Sequence, residues 1–357
     1  MLALAALTLL LGVIDPQPAA RWLQWLDAPT LAGLLALLAV AQGVRESGLV
    51  QRAARRLLGL VHGQRSLVLL LLALSALLAM LLTNDVSLFL LMPLTLALTD
   101  QAHLPRLRLV VLQALAVNAG SALSPIGNPQ NLMLWQRADI SMPGFVWAMA
   151  PTAAVLALVL LVFSCCLIPA APLERRPAPA QRTPIDARLG VAAMVLFPLV
   201  LILLELECAI GAAVLVMLVL GALRPRMLAH LDWFLLATIA LMLVGLGHLA
   251  DLPRVQALLA MLDWRQPGTV YLGGAVLSQL VSNVPATVAL LHTPADPRVL
   301  AMAVNVAGSG LAIGSLASLI ALRLEGSRTI WRTFHAIAVP YFLLTAFLVW
   351  WLLPSAS

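Results

Sequence analysis

The segment SLVLLLLALSALLAMLLTNDVSLFLLMPLTLAL, residues 66–98, decides the fold class of this protein. It is apolar along almost its whole length, but Thr83, Asn84 and Asp85 interrupt it near the middle. A membrane-spanning helix needs about 20 apolar residues. The segment is therefore too long for one span and carries polar groups where a bilayer is driest. It predicts a re-entrant helical hairpin with a polar tip.

The composition of the whole chain supports a polytopic all-α membrane protein. Of 357 residues, 62% are apolar and only 10% are charged, whereas a soluble domain has about 25% charged residues. The mean hydropathy is +1.01. Lipid is therefore the expected partner of most of the surface. We interpret the first apolar segment as a short membrane segment rather than a signal peptide, and ten further segments follow 1–14, namely 30–49, 66–98, 107–136, 145–169, 188–204, 207–223, 232–250, 269–291, 299–322 and 332–353.

Four interruptions occur in the same order in the two halves of the chain. In the first half they are the hairpin tip at Thr83–Asp85 and the stretch 121–131, and in the second half they are 282–285 and 308–318. Asn118 and Asn305 lie 187 positions apart, as do Gly127 and Gly314, while Asn84 and Asn283 lie 199 apart. This is an internal repeat. It predicts that each half contains a re-entrant hairpin followed by a discontinuous transmembrane helix.

The distribution of arginine predicts that the two repeats are inverted. All 21 basic residues are arginine, and with two re-entrant hairpins 16 of them fall in loops on one side of the membrane. That side is cytoplasmic by the positive-inside rule, which explains the net charge of +6 without nucleic-acid binding. We expect the cytoplasmic (inner) membrane of a bacterium, with the N-terminus inside and the C-terminus outside. The domains are then a first short segment with its external loop (1–29), the first inverted repeat (30–169), a Pro- and charge-rich cytoplasmic linker (170–187) and the second inverted repeat with its preceding helices (188–353).

Asp85 is the one acidic residue deep inside an apolar run. A carboxylate there costs about 2.5–3.5 kcal/mol unless it faces a cavity, a cation or a proton. It is either a protonatable or cation-coordinating group or a cap for the half-helix that follows, and both roles are compatible.

The interruptions contain amides, hydroxyls and glycines but no arginine or histidine. An anionic substrate would then be held by these groups and by the N-termini of half-helices. The candidate substrate- and ion-binding residues are Asn84, Asp85, Ser124, Gly127, Asn128, Gln130, Asn131, Ser282, Asn283, Gly314, Ser315 and Ser318. Candidates for a Na⁺ site are Asn84, Asp85, Asn128 and Asn283. The three cysteines have no metal-ligand spacing, and we expect no cofactor and no enzyme activity.

The motifs TNDVSLFLLMPLTLAL, SALSPIGNPQNLMLW, LSQLVSNVPATVALL and GSGLAIGSLASLIAL resemble the citrate-transporter-like permeases of the ion transporter superfamily. That group includes divalent anion/sodium symporters, arsenite permeases and sodium/proton antiporters. The resemblance covers residues 30–353 and implies binding at the hairpin tips and helix breaks, with alternating access and a homodimer. It adds Thr83 and Val284 to the candidate site.

We therefore predict a secondary active transporter for a small anion, such as a dicarboxylate or an inorganic oxyanion, coupled to H⁺ or Na⁺. Two alternatives stay open. One is a sodium/proton antiporter that uses Asp85, and the other is a channel, which would favour a continuous polar pore lining rather than polar residues at one depth.

Overall fold

The computed structural model describes residues 2–175, 185–291 and 293–353, and these residues are predominantly helical. Most of the predicted linker, including Arg176 and Arg182, lies outside the described residues. Before the linker the helices are α1 Leu2–Ile14, α2 Ala19–Leu26, α3 Ala28–Glu46, α4 Leu49–Leu60, α5 Gln64–Leu81, α6 Asn84–Gln101, α7 Arg106–Ser121, α8 Pro129–Ala138 and α9 Met142–Leu167.

After the linker the chain is again helical. The helices are α10 Ala187–Glu205, α11 Ala209–Leu223, α12 Pro225–Ala229, α13 Trp233–Asp251, α14 Pro253–Ala260, α15 Pro267–Val281, α16 Asn283–Leu290, α17 Pro297–Ala307, α18 Leu316–Glu325 and α19 Thr329–Trp350, with a 3₁₀ turn at Ala312–Gly314.

Several of these helices have the length and composition of membrane spans. Among the described residues, five helical segments are long and apolar enough to cross a bilayer: Ala19–Glu46, which comprises α2 and α3, Gln64–Leu81, Met142–Leu167, Ala187–Leu204 and Thr329–Trp350. The prediction of an all-helical membrane protein is confirmed. All four predicted interruptions are also ends of helices, because helix stops at Leu81, Ser121, Val281 and Ala307.

The helices form two compact units, which we call the first and the second unit. The first unit comprises Met1–Val61, Phe89–His103 and Leu173–His248, and the second comprises His62–Leu88, Leu104–Pro172 and Leu249–Ser357. Each unit therefore contains segments from both halves of the sequence.

The first unit is built around α3, α10 and α11, which pack against one another. Gly43 permits this approach, because a Cβ at that position would lie 3.2 Å from the Cβ of Ala193. On one side of this unit, the side chain of His248 lies 3.1 Å from a carboxylate oxygen of Asp15 and stacks on Trp25 with ring centroids 4.5 Å apart. These contacts tie α13 to the first two helices.

The second unit contains all four interruptions, and its packing follows a repeated pattern. The α5 helix packs on α7, and α15 packs on α17 in the same way. The helices that flank the two breaks pack crosswise, since α7 contacts α18 and α17 contacts α8. Both α9 and α19 contact α7 and α17. This arrangement brings the two breaks together in the core of the unit.

Candidate functional site

The first tip, residues 82–85 at the junction of α5 and α6, is held against the first break by backbone contacts. The α5 helix ends at Leu81, and the Oγ1 atom of Thr83 accepts a hydrogen bond from the backbone N–H of Val86 at the start of α6. The N–H of Asn84 donates to the carbonyl oxygen of Gly127, at 3.0 Å. Gly127 is required here, because a Cβ would collide with the carbonyl oxygen of Ser121. This backbone hydrogen bond joins the tip to the break.

Asparagine side chains organise the first break. Asn128 is the N-cap of α8, and its Oδ1 accepts from the N–H of Asn131 at 2.9 Å. The Nδ2 of Asn131 donates to the carbonyl oxygens of Ser121 and Ser124, at 3.1 and 3.0 Å. Both amides are almost fully buried. Asn131 thus gives a second donor to carbonyls that lie at and just after the end of α7 and that also accept backbone N–H groups of the break.

The second break is held by a glutamine from the neighbouring helix α15. The Nε2 of Gln279, on α15, donates to the carbonyl oxygen of Ala307, and its Oε1 accepts from the N–H of Leu311, both at 2.6 Å. The N–H of Ala312 lies 3.3 Å from the Nε2 of His335 on α19. This break is thus held by side chains from two other helices.

The second tip, residues 282–285 at the junction of α15 and α16, has a strained backbone. Ser282 has φ 73° and ψ 156°, a combination that is almost confined to glycine and costs on the order of 1–3 kcal/mol. The Nδ2 of the next residue, Asn283, lies 3.2 Å from the position of a Cβ on Gly308, so this tip also lies against its break. Strain of this kind is concentrated at functional sites in proteins.

Two asparagines link the breaks reciprocally. Asn118 of α7 donates to the Oγ of Ser318 and to the carbonyl oxygen of Gly308, and it accepts from the Oγ of Ser315 at 3.1 Å. Each of these side-chain contacts has a counterpart 187 positions away, as the next contacts show.

Asn305 of α17 makes the matching contacts with the first break. Its Oδ1 accepts from Asn128 at 3.0 Å, and its Nδ2 donates to Asn131 at 2.6 Å. Residues 118, 128 and 131 correspond to residues 305, 315 and 318 at the interval of 187. The contact of Asn118 with Ser315 therefore corresponds to that of Asn305 with Asn128. Likewise, the contact of Asn118 with Ser318 corresponds to that of Asn305 with Asn131. The asparagine from each half of the sequence therefore bonds to the break in the other half.

The outer ends of the helices that flank the breaks are also linked crosswise. The guanidinium of Arg106, at the start of α7, lies 3.1 Å from a carboxylate oxygen of Glu325 at the end of α18. At the other end, Arg137 near the end of α8 donates to the carbonyl oxygen of Thr293, just before α17, at 2.9 Å. The four segments are therefore braced at both ends and in the middle.

Five buried side-chain oxygen atoms of the second unit have no hydrogen-bond partner among the described residues, and two of them, on Gln113 and Thr152, lie inside α7 and α9. The other three, which lie at the tips and breaks, are the Oδ1 of Asp85, the Oε1 of Gln130 and the Oγ of Ser309. Gln130 opens α8 and Ser309 lies in the second break, so both are beside the asparagine contacts in sequence. A buried polar atom without a protein partner is costly unless a ligand, ion or water serves it. These atoms are consequently the best candidates to contact a solute.

The structure gives the sequence-predicted residues different roles. Asn128, Asn131, Ser315 and Ser318 use their side chains to join the two breaks. Gly127 and Gly314 provide close backbone approach, and Ser124 accepts the N–H of Ile126. Thr83, Asn84, Asp85, Ser282, Asn283 and Val284 form the two tips. Sequence reasoning matched Asn118 with Asn305 but did not include them, or Gln279, among the site residues. The signal was available, because each is an amide in an otherwise apolar helix.

Comparison with known proteins identifies relatives that cover most of the chain. A family model described as "Citrate transporter" matches residues 1–304. The chain is 36% identical to the inner membrane protein YbiR of Escherichia coli over 325 residues, which is 91% of this chain and 87% of the relative. It is 28% identical over 331 residues to the uncharacterized transporter MJ0456 of Methanocaldococcus jannaschii, covering 91% and 88%.

A more distant plant relative matches part of the chain. The silicon efflux transporter LSI3 of Oryza sativa is 31% identical over 126 residues, which is 35% of this chain and 26% of the relative.

Proposed function

Since this chain belongs to the citrate transporter family of membrane permeases, we propose that it is a secondary active transporter that moves a small anion coupled to H⁺ or Na⁺. The observation that carries this proposal is the reciprocal bonding of Asn118 and Asn305 to the opposite breaks. Such an exchange is what two inverted repeats around a pseudo-two-fold axis would produce, and transporters of that design bind their substrates at the repeat interface.

The helix ends support an anionic substrate. Four helices, α6, α8, α16 and α18, begin at the tips and breaks. The two tips lie on the breaks, and the breaks are joined by asparagines, so the four N-termini start in one connected polar cluster. Helix N-termini carry free N–H groups and partial positive charge, which favour anions without any arginine or lysine.

Asp85 supports coupling to a cation or a proton. Its Oδ1 is buried and lacks a protein partner, while the N–H of Asp85 is already bonded to the side chain of Asn84 at 2.9 Å. A carboxylate in such a place is stabilised by binding a proton or Na⁺. Asn84, Asp85, Asn128 and Asn283 remain our candidates for Na⁺, although the side chain of Asn128 is already shared with Asn305.

The decisive experiment is uptake by the purified protein in proteoliposomes. The solutes are citrate, succinate, sulfate, arsenite and silicic acid, the last because of the name of the rice relative, each with an imposed H⁺ or Na⁺ gradient. We expect one anion to accumulate against its gradient only when the coupling gradient is present. Downhill flux without accumulation would indicate the channel, and Na⁺-driven proton movement without any solute would indicate the antiporter.

Asp85→Asn tests the coupling residue in the same assay. We expect coupled uptake to fall about a hundredfold, equivalent to about 2.8 kcal/mol. Asp139→Asn, a change at an exposed acid that follows α8, is the matched control and should keep full uptake. Normal coupled uptake by Asp85→Asn would contradict the assignment.

The inverted topology is tested by labelling. In a background with Cys165, Cys166 and Cys208 replaced by alanine, we expect Leu60→Cys to react with an impermeant thiol reagent only in inside-out vesicles. Arg298→Cys should react only in intact cells. Reaction of both from the same side would refute inverted repeats.

A further inference from the structure

A long apolar groove lies between α5, α7 and α9 of the second unit. Its volume is about 580 Å³, and leucine, alanine, methionine and glycine provide its lining apart from Ser164. The Oγ of Ser164 is bonded to the carbonyl oxygen of Leu160 at 2.7 Å, so it is not offered to a ligand. The groove therefore suits hydrocarbon and does not suit an ionic solute.

Small residues create the concave shape. Ala150, Ala153, Ala154 and Ala157 follow one face of α9 at helical spacing, and they line the groove with their methyl groups only. On the opposite wall Gly120 lies so close to α5 that a Cβ would collide with the carbonyl oxygen of Ala76. Since the lining residues of α9 run from 150 to 164, the groove is about 21 Å long. That length exceeds one leaflet of hydrocarbon, which is about 15 Å.

Two arginines mark one end of the groove. The guanidinium of Arg65 donates to the carbonyl oxygens of Cys165 and Ile168, at 2.8 and 2.9 Å, within about one turn of Ser164. Arg108 donates to the carbonyl oxygen of Leu167 at 2.9 Å and is exposed. A guanidinium has five N–H donors, so each arginine keeps donors beyond these bonds.

We propose that this groove binds an acyl chain of an anionic phospholipid whose phosphate is held by Arg65 and Arg108. The apolar walls match the chain, and the paired positive charges at one end match the phosphate. By the arginine distribution this end faces the cytoplasm, where anionic lipids attract basic pockets between membrane helices. The site does not depend on the proposed transport function.

Native mass spectrometry of the purified protein tests the proposal. The protein is titrated with phosphatidylglycerol or phosphatidylcholine that have identical acyl chains. We expect stronger retention of phosphatidylglycerol, by about fivefold for each arginine. Equal retention of the two lipids by the wild-type protein would overturn the proposal.

Two sets of variants separate the headgroup from the chain. Arg108→Gln should lower the preference for phosphatidylglycerol about fivefold, and adding Arg65→Gln should abolish it, whereas Arg188→Gln at an exposed arginine of α10 should not change it. Arg108→Gln alone keeps the contacts of Arg65 to α9, so a folding defect is separable. A full preference in the double variant would overturn the phosphate contact.

Ala157→Trp fills the groove and should reduce retention of both lipids. Its neighbour Leu158 is 62% exposed and does not line the groove, so Leu158→Trp is the control and should retain both. Unchanged lipid retention by Ala157→Trp would overturn the proposal. If that variant instead converted a dimer into a monomer, the groove would be an interface between two copies.

Discussion

Asn118 bonds to two serines in the second break, whereas Asn305 bonds to two asparagines in the first. The positions correspond through the same interval of 187 residues, so the geometry of the contacts is shared and the chemical groups are not. Serine leaves more room than asparagine, and in the second break a glutamine from α15 supplies the additional amide. The comparison thus distinguishes Asn118 and Asn305, which are the same in both halves, from their bonding partners, which differ between the halves.

The hairpin tips differ in a complementary way. At an interval of 199 residues, Asp85 corresponds to Val284 and Met80 to Gln279. The first tip carries the carboxylate, and the second carries the strained serine. We infer that the first repeat contributes the coupling group, while the second contributes a tightly held backbone.

The largest expected effect on stability comes from Asn305→Ala. It leaves the buried Oδ1 of Asn131 without a partner and removes one of the two acceptors of the Nδ2 of Asn128, and a buried unpaired amide oxygen is costly. We expect a loss of about 2–3 kcal/mol in the free energy of unfolding, measured by chemical unfolding in mixed micelles. Asn118→Ala should cost only about 1 kcal/mol, because the hydroxyls of Ser315 and Ser318 can rotate to backbone carbonyls. Equal losses would show that the two halves of the network are energetically alike.

Met80 is the residue of the first half that corresponds to Gln279. Gln279→Met should lower the free energy of unfolding by about 2 kcal/mol, since two short hydrogen bonds to the second break are lost. Gln130→Met is the control. The Oε1 of Gln130 is buried without a protein partner, so this change should not reduce stability but should lower uptake of the solute. A large stability loss in Gln130→Met would mean that its amide is structural.

Asn128→Ala should cost about 1 kcal/mol more than Ser315→Ala. Both side chains bond to the opposite repeat, but only Asn128 also caps its helix, because the side chain of Ser315 makes no cap bond. Asn128→Ser should recover most of the difference, since serine is a good N-cap. The same thermal or chemical unfolding assay ranks the three variants, and no recovery in Asn128→Ser would contradict the capping role.

The smallest effect is a gain. Ser282→Gly should raise the free energy of unfolding by about 1 kcal/mol, because glycine adopts this φ and ψ without strain. Thr83→Gly, at the corresponding place in the first tip, should lower stability, since the φ of Thr83 is not positive. If both changes destabilise, the strain at Ser282 is not stored in its backbone.

The sequence predicts where the helices are interrupted but not how the interruptions are joined. Long apolar runs with Asn, Gly and Pro inside them locate each break, because the asparagine amide is costly in lipid and glycine and proline disfavour regular helix. The partner of Asn118 could not be chosen, since several hydroxyls and amides lie at similar depth and only packing selects among them. The backbone of Ser282 was also invisible, because strain comes from the surrounding structure and not from the residue type.

The loops show a second limit of the sequence. We placed the residues between the segments 30–49 and 66–98 among the arginine-bearing cytoplasmic loops, yet Leu49–Leu60 is a helix that buries Val50, Ala54 and Leu58. Its buried apolar positions recur every four residues, which is typical of an amphipathic helix. The arginines between them nevertheless led us to expect a loop. The two compact units could not be predicted from chain order, because each draws on both halves of the sequence.

The reciprocal asparagine contacts also join residues that are synthesised at different times. Asn131 and its partner Asn305 are 174 residues apart, so at about 5–20 residues per second the second is synthesised roughly 9–35 seconds after the first. During that interval the Oδ1 of Asn131 and the amide of Asn118 lack the residues that they bond in the folded protein. We therefore expect the insertion machinery to shelter the first half until the second half arrives, so that the speed of translation affects how this protein folds.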